Sequence, residues 1–142
     1  MMAHNQLPTP VPFVSPETEP YWSGAKAGKL VLPHCAACDH PIWYPKAFCG
    51  DCGSLAVEWR EASGLGTLYS FTEVHRGEGP YRETAGFVLA LVDLDEGARV
   101  LTNIVDADPA ELAIGQRVRA VFHDAGDAAA LVRFSPIPEQ SK

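Results

Sequence analysis

The sequence predicts a mainly β protein in which a short N-terminal helix and a metal-bound ribbon precede a five-stranded barrel of the OB type. Three observations carry that expectation. Four cysteines form two CxxC pairs inside an eighteen-residue window, five short runs of β-forming residues follow them, and a Pro-rich stretch precedes both. The 142 residues, 46% hydrophobic and 20% charged, suffice for one ordinary domain or two small ones.

Residues 1–14 are read as a flexible Pro-rich arm, disordered alone or laid along another surface, because Pro8, Pro10 and Pro12 interrupt any regular structure. Residues 15–31 are read as a helical segment. Ser15 offers a capping hydroxyl, Pro16 suits a first turn, and Glu17 and Glu19 favour the positive end of the dipole, so a helix is predicted from about Pro16 to Lys26. Tyr21, Trp22 and Ala25 share one face of it, expected to pack on the chain's own ribbon. Gly24 and Gly28 weaken its end. The stretch Gly24-x-x-x-Gly28-Lys29 is no phosphate loop, being one residue short and carrying Leu30 where Ser or Thr would meet Mg2+.

Residues 32–56 are read as the ribbon. Cys35-x2-Cys38 and Cys49-x2-Cys52 are separated by ten residues, and each pair can turn as a knuckle that aims two thiolates at one point. Pro41 and Pro45 punctuate a short hairpin between them. Two disulfides or a redox CxxC are the alternatives. The first suits secreted chains, and Met1–Val14 lacks the charged and apolar regions of a secretory signal; the second gives no reason for a second pair nearby. A reducing cytoplasm is therefore the expected setting, and Cys35, Cys38, Cys49 and Cys52 are assigned to a structural Zn2+, with iron in the same sulfur shell as the alternative. His34 and His40 flank the first knuckle and are expected to be exposed loop residues, since four sulfurs already satisfy the metal.

Residues 57–138 are read as the barrel, with 139–142 as a tail. Val57–Arg60 leads in, and Thr67–Val74, Phe87–Leu94, Ala98–Val105, Arg117–His123 and Ala129–Phe134 are the five predicted strands. Asp95-Glu96-Gly97 makes a tight hairpin turn between the second and third. Asp108-Pro109-Ala110-Glu111-Leu112 starts a short helix between the third and fourth, which Gly115 stops. That order is the OB arrangement, with another five-stranded barrel as the alternative.

Charge excludes some partners. Eleven Lys and Arg against eighteen Asp and Glu leave a formal charge of -7, and neither the first 56 residues nor the remainder carries a basic excess. Nucleic acid and anionic membranes are disfavoured. The longest apolar run, Phe87–Val92, has six residues, far below the roughly 20 that cross a bilayer.

The ordered set Glu19-Pro20-Tyr21-Trp22, Gly28-Lys29-Leu30, the two CxxC knuckles, Tyr44-Pro45, Gly64-x-Gly66-Thr67-Leu68-Tyr69-Ser70 and Leu94-Asp95-Glu96-Gly97 resembles the zinc-ribbon OB-fold family catalogued as domain of unknown function 35. The resemblance spans about Ser15–Pro138. It implies an N-terminal helical segment, a rubredoxin-like zinc ribbon and a C-terminal OB-fold. It also implies a non-catalytic partner of thiolase-like condensing enzymes or MaoC-like enoyl-CoA hydratases in lipid, steroid or polyketide-type acyl metabolism, helping to hold CoA or acyl-CoA. Asp39 departs from the family pattern, which commonly has Gly after the first knuckle, and this puts the local knuckle geometry in question.

The residues themselves agree that chemistry belongs elsewhere. With every cysteine committed to metal no thiol nucleophile remains, and HExxH, GxSxG and GxGxxG are absent. His75 and His123 are expected to be solvated strand-end residues. Two readings of different class follow: an accessory subunit that positions acyl-CoA on a partner enzyme, and an OB-fold that binds single-stranded nucleic acid, which the charge disfavours. For the first, Arg76, Tyr81 and Arg82 in the Gly77–Pro80 loop region are the candidates for gripping CoA phosphates or the partner. Phe71, Phe87 and Asn103 are the strand residues that could line a pantetheine channel.

Overall fold

The computed structural model describes residues 7–84 and 86–138; the first six residues of the arm and the predicted 139–142 tail lie outside them. Helix α1 spans Glu19–Lys26, and eight strands follow: β1 (Val31–Cys35), β2 (His40–Pro41), β3 (Val57–Glu61), β4 (Leu65–Val74), β5 (Phe87–Leu94), β6 (Arg99–Ile104), β7 (Arg117–Asp124) and β8 (Ala130–Pro136). No helix among the described residues is long and apolar enough to cross a membrane.

The helix starts three residues later than the sequence suggests. Pro20 has no N–H to donate to the carbonyl of Pro16, so the chain makes a separate turn first. In that turn the Thr18 amide donates to the Ser15 carbonyl at 3.0 Å, and the Ser15 amide donates to Thr18 Oγ1 at 3.1 Å. Thr18, not Ser15, precedes the first helical residue. The predicted face is the one that packs: Ala25 is buried, and the Tyr21 ring stands 5.4 Å from that of Trp43 in the ribbon.

The ribbon is a three-stranded antiparallel sheet in the order β2-β1-β3. Val57–Arg60, expected to lead into the barrel, instead belongs to β3, which pairs along the whole of β1, from Cys35↔Val57 to Val31↔Glu61. The remaining five strands close a barrel in the order β4-β5-β6-β8-β7, with β7 returning to β4. All ladders are antiparallel except β6–β8, the OB connectivity. Strand alternation explains the core: Val88, Ala90, Val92 and Leu94 of β5 face inward against Leu68, Val100, Ile104, Val118 and Phe134. Leu30, Leu32 and Ala62 join the same cluster, so ribbon and barrel share one core.

The parallel β6–β8 seam rests on few bonds. Thr102 Oγ1 donates to the Val132 carbonyl at 2.9 Å and the Val105 amide to the Phe134 carbonyl at 2.8 Å. The predicted helix after β6 is a single 3-10 turn at Pro109–Glu111, with the Ala110 amide donating to Asp108 Oδ1 at 3.0 Å. Barrel closure also requires a close approach at Gly66, where an added Cβ would lie 2.7 Å from Val92 Cγ1 and 2.8 Å from the Asp93 carbonyl oxygen. Gly66→Ala is therefore expected to destabilise the protein by about 1–3 kcal/mol, since backbone rather than a flexible side chain must yield. Urea unfolding of the two proteins checks it; equal midpoints would show that the strands part without strain.

Candidate metal centre and outer-wall socket

The four cysteine sulfurs lie within 4.8 Å of one another, with Cys35 to Cys52 and Cys38 to Cys49 each at 3.6 Å. A tetrahedron with metal–sulfur bonds of about 2.3 Å has sulfur–sulfur edges of roughly 3.8 Å, so the donor set fits one zinc ion. Two tight turns bring this about. The first follows β1, with the Asp39 amide donating to the Cys35 carbonyl; the second has the Gly53 amide donating to the Cys49 carbonyl. Both turns end in left-handed backbone, Asp39 at φ 62° and Gly53 at φ 78°.

Asp39 thus adopts the conformation that Gly usually supplies. Asp tolerates it better than most residues, and its carboxylate is held by His34 Nε2 at 2.8 Å. That hydrogen bond and the charge on His34 lower the Asp39 pKa. His34 therefore holds the knuckle rather than the metal, and His40 is exposed.

Backbone amides inside the knuckles aim at sulfur. The Cys38 amide donates to Cys35 Sγ at 3.4 Å and the Asp51 amide to Cys49 Sγ at 3.3 Å. The Cys38 amide is the chief reason the Cys35 thiol is lowered to about 7, while burial, followed by the Cys49 sulfur, pushes Cys38 up to about 12. A cation at the centre resolves that opposition by taking the place of the protons, so metal affinity falls as pH falls. Four thiolates leave no open coordination position, and the ion can only be structural.

The remaining candidates divide. Phe71 points inward and packs against the barrel core. Phe87 and Asn103 lie on the opposite, outer side of their strands. Asn103 Nδ2 donates to the Val88 carbonyl at 2.9 Å. Tyr81 and Phe87 do come together, with ring centroids 5.2 Å apart. Arg76 and Arg82 are exposed beside them in the loop between β4 and β5.

Around Tyr81 and Phe87 the structure builds a second apolar cluster with Leu7, Val74, Val105 and Val121. It sits on the outer wall of the barrel. Arg133, beside it, is 2% exposed, although it alternates with the inward Phe134 and would ordinarily point to water. Its Nη2 donates to the Pro8 carbonyl at 2.6 Å and to Tyr81 Oη at 3.0 Å, and its Nη1 reaches His123 Nδ1 at 3.0 Å. His123 is therefore no solvated strand end: burial, then the Arg133 charge, lowers its pKa, and the neutral ring accepts from the guanidinium. Sequence reasoning missed Arg133. The only signal was an arginine inside the apolar run Ala129–Phe134, and nothing local says what covers it.

Comparison with known proteins gives two adjoining family matches: the ChsH2 rubredoxin-like zinc ribbon domain over residues 22–58, and the ChsH2 C-terminal OB-fold domain over residues 59–123. The chain is 38% identical, over 82% of its length, to the 3-oxo-4,17-pregnadiene-20-carboxyl-CoA hydratase alpha subunit of Mycobacterium tuberculosis, of which the match covers 37%. It is 30% identical, over 76% of its length, to a DUF35 domain-containing scaffold protein of Methanocaldococcus jannaschii, of which the match covers 82%. Among solved structures, a chain of the Ltp2-ChsH2(DUF35) aldolase superposes with a TM-score of 0.78 at 34% identity, covering 88% of this chain and 98% of that one. The chain thus spans about two fifths of the hydratase subunits it matches, 37% in one and 41% in another.

Proposed function

Because this chain belongs to the DUF35 family of zinc-ribbon and OB-fold proteins, in its ChsH2 branch, we propose that it is a non-catalytic accessory subunit that docks on an acyl-CoA enzyme and helps to position the acyl-CoA. One observation carries this reading: the same unit matches only 37% of a subunit named for a CoA hydratase, yet matches 98% of a chain in an aldolase complex. A unit found both in a CoA-hydratase subunit and in an aldolase complex suits positioning rather than one particular chemistry, and the CoA named for the hydratase makes the CoA end of the substrate or its channel what this chain would hold.

The partner enzyme is proposed to be thiolase-like or MaoC-like. It supplies nucleophile and base, and this chain supplies orientation. Cys35, Cys38, Cys49 and Cys52 would hold zinc, whose chemistry here is to fix the ribbon as a rigid platform. Arg76 and Arg82, both exposed, are the cations that would meet CoA phosphates or the partner, and behind them Tyr81 packs against the buried Phe87. Phe71 and Asn103 serve the barrel instead.

Affinity capture of the tagged protein from native lysate, with mass spectrometry of what is retained, tests the role. Recovery of an acyl-CoA hydratase, aldolase or condensing enzyme is expected; recovery of RNA or ribosomal proteins without one would overturn it. In the purified complex, Arg76→Glu is expected to weaken acyl-CoA or partner affinity about tenfold or more, the loss of one charge-assisted contact. Unchanged affinity in a calorimetric titration would remove this loop from the site.

A further inference from the structure

Among the described residues, the buried guanidinium of Arg133 has neutral partners: a backbone carbonyl, a phenol and an imidazole. None of the ion pairs among the described residues involves it. A cation removed from water without a counter-ion is costly, and an apolar residue of similar size would serve a purely structural contact better. Two of its three partners come from irregular segments, Pro8 from the arm and Tyr81 from a 3-10 turn in the β4–β5 loop. Beside it Leu7, 6% exposed, fills an apolar hollow lined by Val74, Tyr81, Phe87, Val105 and Val121. The arm therefore presents one aliphatic side chain to the hollow and one carbonyl oxygen to the guanidinium.

We propose that this outer-wall socket is a binding site for an aliphatic carboxylic acid, and that Leu7–Pro8 is its resident stand-in. An incoming carboxylate replaces a neutral carbonyl with a charged acceptor that pairs with both arms of the guanidinium fork, and its aliphatic tail replaces the Leu7 side chain. Among the described residues the arm is joined to the barrel by no strand ladder, and outward-facing Val11 and Phe13 are 73% and 87% exposed, so Leu7–Pro8 can lift without breaking the fold. Among the described residues Arg133 is the buried cation, so the charge that would hold such a ligand lies inside the socket. The socket shares Tyr81 and Phe87 with the proposed acyl-CoA contact but not its premise, because the probe is a free acid with neither CoA nor partner present.

The test is calorimetric titration of the full-length, metal-loaded protein with octanoate, octan-1-ol and acetate. A Leu7→Ser variant, with the hollow unplugged, is expected to bind one octanoate at least tenfold more tightly than the unaltered protein does. Octan-1-ol, which lacks the charge, and acetate, which lacks the tail, are expected to bind at least tenfold more weakly than octanoate. Arg133→Met is expected to abolish octanoate binding and Arg133→Lys to leave a fraction of it. Equal binding of octan-1-ol, full binding by a folded Arg133→Met protein, or no saturable binding to a folded Leu7→Ser protein would each overturn the proposal. If either variant fails to fold, the unaltered protein decides: saturating octanoate is expected to erase the NMR cross-peaks between the Leu7 methyls and the Phe87 ring, and their persistence would refute displacement.

Discussion

Removal of the metal by a chelator, or the Cys49→Ser substitution, is expected to collapse the ribbon between Cys35 and Val57 while the barrel strands stay folded. The reason is the make-up of the ribbon's own core. Its buried residues are Cys35, Ile42 and Cys49, with Cys38 and Val57 packed against them, so three of these five are metal ligands. Little apolar surface remains to oppose the entropy of ordering some twenty residues, whereas a structural zinc site contributes on the order of 10 kcal/mol or more. The barrel differs, because its inward residues contact one another around a closed circuit of strands. Amide NMR of the metal-free protein checks the outcome: residues 35–57 should lose chemical-shift dispersion, and residues of β5 and β6 should keep theirs. Undiminished dispersion across the ribbon would mean that the fold, not the metal, gathers the cysteines.

The second large effect is expected at Phe134. This ring is 1% exposed and lies at the β6–β8 seam, where Ile104↔Phe134 is the pair in register. Phe134→Ala would remove a buried aromatic group and leave a void at the barrel's most sparsely bonded junction, costing about 3–5 kcal/mol. That is a large share of the stability of an ordinary domain. Urea unfolding of the metal-loaded proteins measures it; a loss below about 1 kcal/mol would show that neighbouring side chains collapse into the space.

How much of this was legible in the sequence depends on how local the cause is. The knuckles are legible because a CxxC turn fixes its own geometry, and the barrel strands because runs of β-branched and aromatic residues between turn signals favour extended backbone locally. The helix starts three residues later than Ser15 and Pro16 suggest, because Pro20 lacks the amide that would bond back to Pro16. Strand β3 reads from sequence as an approach to the barrel, because nothing within it reveals that β1, more than twenty residues earlier, is its partner. Asp39 looked like a defect in the first knuckle until His34 was seen holding its carboxylate.

The sequence by itself determined the composition of the metal site, the number and chain order of the barrel strands and the net acidic charge. Each follows from residue type, spacing or charge, which need no knowledge of distant neighbours. Only the tertiary structure decided that Phe71 belongs to the core, that His123 is a neutral acceptor and that Arg133 is buried. The physical reason is the same in all three. Whether a side chain meets water depends on which remote segment lies over it, and Pro8 reaches Arg133 across 125 residues of chain.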